Sequence, residues 1–355
     1  MKDIKSLLPE ELEALVRAMG ESAFRSRQIF SWLSKGVQDF SEMSNLPKTL
    51  RERLAAEAYI NRLVCLKKQV SQLDGTVKYL WELRDGSAVE TVVMRYAHGA
   101  TVCISSQVGC RMGCAFCAST IGGLVRNLTA SEMLDEVIYS QQDFGEPVSN
   151  IVIMGIGEPL DNYDNVMRFL RLVNHPAGMN IGMRHITLST CGLTERIPEL
   201  IHENLQLTLA ISLHAPDDKT RSLLMPVNRD RGVEALVRCC EDYFAATGRR
   251  ITLEYAMIDG VNDTPEQARQ LAGLARRAKA HINLIPLNHV EERAFSPSGP
   301  ERIRTFCGVL ERSGANYTIR RSLGGDVDAS CGQLRRKRER EQAGFRRENT
   351  SPQDP

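Results

Sequence analysis

Gly109-Cys110-Arg111-Met112-Gly113-Cys114-Ala115-Phe116-Cys117 opens a loop straight after a strand-like run at 101–105. Its three cysteines, spaced CxxxCxxC, can wrap one iron–sulfur cluster. A [4Fe–4S] cluster is fully ligated by four thiolates, so three leave one iron open to a ligand. Structural zinc is a second reading of the spacing, although no fourth Cys or His stands nearby at zinc-finger spacing. Buried cysteines clustered by chance are a third.

Outward from this loop the chain repeats strand, loop and helix. Strands are expected at 101–105, 150–154, 185–189, 206–212, 252–257, 281–287 and 316–321, with helical patterns between them at 130–144 and 233–246. Such alternation predicts a parallel sheet, open or closing toward a barrel. The polar and glycine-rich signals follow the strands at their C-terminal ends, where α/β folds place their chemistry. They are Gly155-Ile156-Gly157-Glu158-Pro159 after the second strand, Ser189 at the end of the third, Ser212-Leu213-His214 at the end of the fourth, and Asn288 after the sixth.

Upstream, 1–60 reads as a helical unit. Pro9 suits a first helical position, and Leu12, Leu15, Val16 and Met19 form a stripe that stops at Gly20. A second helix should carry Phe24, Ile29, Phe30 and Leu33 and end at Gly36, and a third should follow Pro47. Asp74-Gly75 and Asp85-Gly86 are hairpin signals within an antiparallel extension at 61–98. The α/β unit would then span 99–332, and 333–355 would be a basic tail, either a charged helix or disordered.

At 355 residues the chain has room for two domains or one barrel with appendages. Its 42% apolar and 25% charged content is ordinary for a globular protein. No apolar run approaches the ~18 residues of a membrane span, and MKDIKSLLPEELEALVRAMG lacks the apolar core of a signal peptide. The expectation is a cytoplasmic protein without a membrane partner. There, ten cysteines point to metal binding, redox catalysis or burial rather than a disulfide framework.

The cysteine spacing, with an aromatic residue before the last cysteine, resembles the radical-SAM superfamily. CISSQVGCRMGCAFC, MGIGEPLDNYDNV, SLHAP, LMPVN, GVND, NLIPLN and GGDVDASCGQL resemble the RlmN family more closely, across about 1–335. The departures are small: CASTIGG after the cysteines, and Asp328-Ala329-Ser330-Cys331 where Ala-Ala-Cys is usual. The resemblance implies a radical-SAM partial (β/α)6-type barrel with an N-terminal helical domain and an antiparallel β extension. It implies one [4Fe–4S] cluster on Cys110, Cys114 and Cys117, and two S-adenosylmethionine (SAM) molecules per turnover. The SAM contacts would be Gly157, Glu158, Ser189, Ser212, Leu213, His214 and Asn288. A reducing electron donor such as flavodoxin is implied as well.

RlmN enzymes methylate adenine C2 in 23S ribosomal RNA, at the peptidyl-transferase centre, and in tRNA, next to the anticodon. The related Cfr enzymes methylate C8. Gly157-Glu158-Pro159-Leu160-Asp161-Asn162-Tyr163 and Pro286-Leu287-Asn288 look more like RlmN than Cfr. Adenine C2 lies between two ring nitrogens and is too electron-poor to attack a sulfonium methyl. The family scheme therefore carries the carbon on a methylated cysteine, a position that Cys331 matches, and releases the product by attack of a second cysteine, matched by Cys103. Glu90 matches a carboxylate proposed to handle protons; an exposed glutamate on an antiparallel strand is the plainer reading. Cys65, Cys191, Cys239, Cys240 and Cys307 read as buried or incidental thiols.

Extruding a base from structured RNA costs a few kcal/mol, which phosphate contacts can supply. Arg25, Arg27, Lys48, Arg51 and Arg53 in the helical unit and Arg335, Arg336, Lys337, Arg338 and Arg340 in the tail are candidates. A Cfr-type C8 methylase and a cluster-bearing RNA-binding protein without turnover stand as rivals; mere binding would need neither Cys103 nor Cys331.

Overall fold

The computed structural model describes residues 1–288, 290–321, 323–327 and 332–349, with side chains to 341. A short strand β1 (Lys2–Asp3) pairs in parallel with β2 (Ala58–Tyr59), closing off α1 (Pro9–Ala18), α2 (Ala23–Ser34) and α3 (Lys48–Glu57). Pro9 does start α1, and Leu12, Leu15 and Val16 face inward. The α2 stripe differs from expectation. Ser26, Ile29, Phe30 and Leu33 are buried at helical spacing, while Phe24 falls outside that face and is 60% exposed.

An antiparallel meander follows, β3 (Val64–Val70), β4 (Val77–Glu82), β5 (Ala88–Tyr96) and β6 (Gly99–Ile104). Its first two turns use Gly75 and Gly86 with φ of +71° and +81°, as the Asp-Gly pairs predict. A separate hairpin, β7 (Gln107–Gly109) with β8 (Leu124–Asn127), forms the neck of the cysteine loop. The helix α4 (Ala130–Phe144) starts in a capping box between Thr129 and Glu132 and ends at left-handed Gly145.

From here the expected alternation holds. The strands are β9 (Val148–Ile153), β10 (Ile186–Thr190), β11 (Thr208–Ser212), β12 (Thr252–Met257), β13 (His281–Pro286) and β14 (Tyr317–Ile319). Between them lie α5 (Tyr163–Asn174), α6 (Ile197–His202), α7 (Asp218–Leu224), α8 (Val233–Thr247), α9 (Pro265–Arg277) and α10 (Pro300–Arg312). Among the described residues the main sheet has ten strands, ordered β14-β13-β12-β11-β10-β9-β6-β5-β4-β3. β6 pairs with β9 in parallel, and every pairing from there to β14 is parallel. This is the partial barrel, with the meander continuing its sheet. The strand interiors are nearly continuous apolar runs because helices cover the outer face.

One continuous apolar core runs from Ile4 and Leu12 through Val102 and Leu188 to Leu310, so the N-terminal helices and the barrel share an interior. The C-terminal residues form α11 (Gln333–Asn349), which packs Leu334 against Leu80 and Ala88. No helix among the described residues is long and apolar enough to cross a membrane.

Candidate active site

The C-terminal ends of the parallel strands open into one pocket, and the cysteine loop covers it. Cys110, Cys114 and Cys117 all line it. The loop is cinched at its base, where Cys110 N–H donates to Gly123 O at 3.0 Å, and stitched to the loop after β9. Gln107 Nε2 donates to Asp161 Oδ2 at 2.9 Å, Glu158 N–H donates to Gln107 Oε1 at 2.9 Å, and Arg111 forms an ion pair with Asp161. Gly157 has φ +110°, and a Cβ there would lie 2.7 Å from Gln107 N, so the stitch requires glycine.

Burial raises the Cys110 thiol to about 12, and the neighbouring Cys117, Glu158 and Asp161 add to the rise. Cys114 is raised well above its usual value by burial and by the two other thiols. Thiols raised in this way ionise only when a cationic centre compensates them, as metal ligands do. Among the described residues no three Cys, His, Asp or Glu side chains converge on a single-ion site. A cuboidal cluster takes one thiolate per iron, so its ligands stand apart, and the donor set fits a cluster with one open iron.

The polar strand ends face the same pocket: Gly157 and Glu158 after β9, Ser189 on β10, Ser212 and His214 at β11, and Asn288 on the rim after β13. The Glu158 carboxylate is already engaged, accepting from Leu160 N–H at 3.0 Å and Cys191 N–H at 2.7 Å. It ties the end of β9 to the end of β10, and burial pushes its pKa up against those bonds. His214 has φ +58°, accepts from Ala256 N–H through Nδ1 at 3.0 Å, and meets the Phe116 ring edge-on at 5.1 Å. Burial drops its pKa to about 3, so the ring is neutral at physiological pH. Leu213 sits differently from its two neighbours. Strand alternation turns its side chain into the core with no exposure, and only Ser212 and His214 on either side reach the pocket.

Cys103 lies on β6, buried with Val92 and Met94, and Leu323 of the C-terminal segment packs against that cluster. Cys331 lies outside the described residues. Glu90 is not exposed, as the plainer reading had it, but 3% exposed. Its Oε2 lies 2.8 Å from Lys78 Nζ, itself fully buried, and accepts from Gly332 N–H at 2.7 Å; Oε1 accepts from Arg335 N–H at 2.7 Å. The basic tail is likewise engaged within the protein. Arg335 pairs with Glu339, Arg336 with Glu292 and Glu339, Arg338 with Glu82, and Arg340 with Glu291 and Glu292. Through Asn349 the tail takes the helical of the two forms expected of it, and these candidate phosphate contacts pair with carboxylates of the protein.

The chain matches the family model for the radical SAM superfamily over residues 104–272 and that for the ribosomal RNA large subunit methyltransferase N-terminal domain over 2–60. A protein of Alkaliphilus oremlandii named "Probable dual-specificity RNA methyltransferase RlmN" is 50% identical over 335 residues, covering 94% of this chain and 98% of that protein. A Desulforamulus reducens protein of the same name is 50% identical over 338 residues, covering 95% and 97%. This chain belongs to the RlmN family. The crystal structure of a radical SAM methyltransferase from Sphaerobacter thermophilus superposes with a TM-score of 0.89 at 43% identity, covering 94% of this chain and 99% of that one. As a radical SAM methyltransferase of the RlmN family, the chain uses a [4Fe–4S] cluster and SAM.

Several residues that shape this RlmN-family pocket escaped the sequence reading. Arg221 is 1% exposed and donates to Cys191 O at 2.6 Å, Leu213 O at 3.1 Å and Ser212 O at 3.3 Å, bracing the ends of β10 and β11. Asn262 donates to His214 O at 2.7 Å and Ala256 O at 2.6 Å, which accounts for the GVND motif. Arg293 donates to Cys117 O at 3.0 Å from the loop after β13. Glu254, a buried carboxylate on β12, lines the pocket. Its one legible signal is an acidic residue inside the apolar run ITLEYAMI.

Proposed function

We propose that the chain methylates adenine at C2 in 23S ribosomal RNA and in tRNA, working in the cytoplasm with electrons from a donor such as flavodoxin. The observation that carries this reading is the meeting of two groups of residues. Three thiols and the polar ends of β9, β10, β11 and β13 share one pocket; Cys103 on β6 belongs to a cluster packed against Met154, which lines that pocket, and Gly332, just before α11, is bonded to Glu90 on β5. In this reading Cys110, Cys114 and Cys117 hold the cluster, and Gly157, Glu158, Ser189, Ser212, His214 and Asn288 surround SAM. Bound there, the two supply one-electron chemistry able to act on a carbon that polar reagents do not touch.

The chain's own residues would do the rest. Cys331 carries the one-carbon unit to adenine; as the C2–carbon bond forms, the C2 hydrogen must leave as a proton and the odd electron must pass back to the redox group. Cys103 then attacks the Cys331 sulfur, and the sulfur–carbon bond breaks. The carbon keeps the electron pair and takes up a proton as the new methyl group, while the two sulfurs remain as a transient disulfide, compatible with the cytosol. Glu90 serves as the anchor of the Cys331 segment, in place of the proton-handling role the resemblance implies. We assign RNA binding to the helical unit at 1–60, with 61–98 as the β extension, 99–332 as the catalytic unit and 333–355 as a basic tail whose arginines up to Arg340 pair with carboxylates.

Position-resolved nucleoside analysis of rRNA and tRNA from a strain lacking this chain tests the reading. Loss of 2-methyladenosine, restored by complementation, is the expected result. Loss of an 8-methyl product would assign Cfr-type chemistry, and unchanged RNA would leave a binding protein without turnover.

A further inference from the structure

Glu254 on β12 is 5% exposed and faces the pocket among apolar neighbours. Its Oε2 accepts from Ser189 Oγ at 2.8 Å and lies 3.4 Å from Ser212 Oγ, itself 3.4 Å from Ser189 Oγ. Oε1 is buried and has no hydrogen-bond partner among the described residues. A carboxylate oxygen taken out of water with no donor is costly, and such an atom in a pocket marks where a ligand completes the set.

The corner's chemistry narrows what that ligand is. Oε1 takes only donors, and the serines, with hydrogens turned toward Oε2, present lone pairs. Arg221 already places a cation behind this corner, donating to the Ser212 and Cys191 carbonyls, so neutral hydroxyl donors fit better than an ammonium. The corner also lies deep and central. Glu254 is in register with Ser212 on one side and Asn283 on the other, whereas the thiols approach over the loop after β9. A ligand that reaches from the thiols across to β13 passes its middle over this corner. In SAM that middle is a ribose with two adjacent hydroxyls.

We propose that Glu254 recognises the ribose diol of SAM, with Oε1 accepting directly from one hydroxyl and Oε2 orienting Ser189 and Ser212 toward the other. This rests on the placement of SAM in this pocket. The test uses cluster-reconstituted, oxidised, full-length protein and S-adenosylhomocysteine, which cannot methylate the enzyme, together with its 2′-deoxy and 3′-deoxy analogues and free methionine. Wild type should bind at least one deoxy analogue about tenfold more weakly than the parent. Glu254→Gln should bind the parent about tenfold more weakly and then be indifferent to that hydroxyl, with iron content and cluster absorption unchanged. Wild type that binds the parent but ignores both hydroxyls would overturn the inference alone, whatever the fate of the variant. So would a Glu254→Gln protein that keeps the full hydroxyl discrimination, or one weakened for methionine instead, which would assign Glu254 to the ammonium. Wild type that binds no S-adenosylhomocysteine would overturn the placement of SAM, and this inference with it.

Discussion

In the proposed scheme two sulfurs in different motifs divide one task, and their order of action is testable at the level of single atoms. Cys103 sits on β6, one strand from the pocket wall, packed among Val92, Met94 and Leu323. Without it, the carbon bridge between Cys331 and adenine would form but not be released. Cys103→Ala should therefore copurify with covalently attached RNA, and Cys331→Ala and the double variant should not. Mass spectrometry of nuclease-digested Cys103→Ala protein should place the nucleotide on the Cys331 peptide. An RNA-free Cys103→Ala protein with full activity would reverse the assigned roles. Candidates of this kind stand out in a sequence because each lies in a motif with unusual composition. Glu254 and Arg221 do not, since their meaning comes from burial. An acidic or basic side chain in an apolar run looks the same in sequence whether it faces solvent or a pocket.

At the scale of elements, the carboxylate of Glu90 holds the start of α11 to β5. The first N–H groups of a helix lack internal partners, and the helix dipole favours a negative charge beside them. Glu90 takes Gly332 N–H and Arg335 N–H, and Lys78 balances its charge inside the protein. Losing either partner leaves an uncompensated buried charge. In Glu90→Ala and Lys78→Met, hydrogen exchange over 332–341 should quicken about tenfold or more while exchange in β9 to β12 stays as in wild type. Unchanged exchange with lost methylation would instead return Glu90 to proton handling. The strands that frame this arrangement were readable from their apolar runs, and β12 falls on its expected bounds. The hairpin β7–β8 was missed because strands of three and four residues leave no alternation to read. The tail was read by charge alone, and its carboxylate partners Glu82, Glu291 and Glu292 lie elsewhere in the chain.

For the molecule as a whole, the question is whether the N-terminal helices are a detachable arm. Family models split the chain at 2–60 and 104–272, yet the core is continuous across that division. Its strictest link is electrostatic. Lys5 Nζ lies 2.6 Å from Asp135 Oδ1 on α4, both fully buried, and Asn61 Nδ2 donates to Asp135 Oδ2 at 2.8 Å. Burial raises Asp135 to about 6, with Lys5 and Asn61 pulling it down. A carboxyl raised above its ordinary 3.8 stabilises the fold most at low pH, and that contribution fades as pH rises through about 6. Removing Lys5 raises the folded pKa further, so the damage should grow with pH. In denaturant unfolding, Lys5→Met should lose about 3–5 kcal/mol at pH 8 and clearly less at pH 5, where Asp135 is largely protonated in either protein. Lys5→Met combined with Asp135→Leu should recover most of the loss at pH 8, because no charge is then left buried alone. A loss equal at both pH values and unrelieved in the double variant would mean that packing, not this ion pair, joins the helical unit to the barrel.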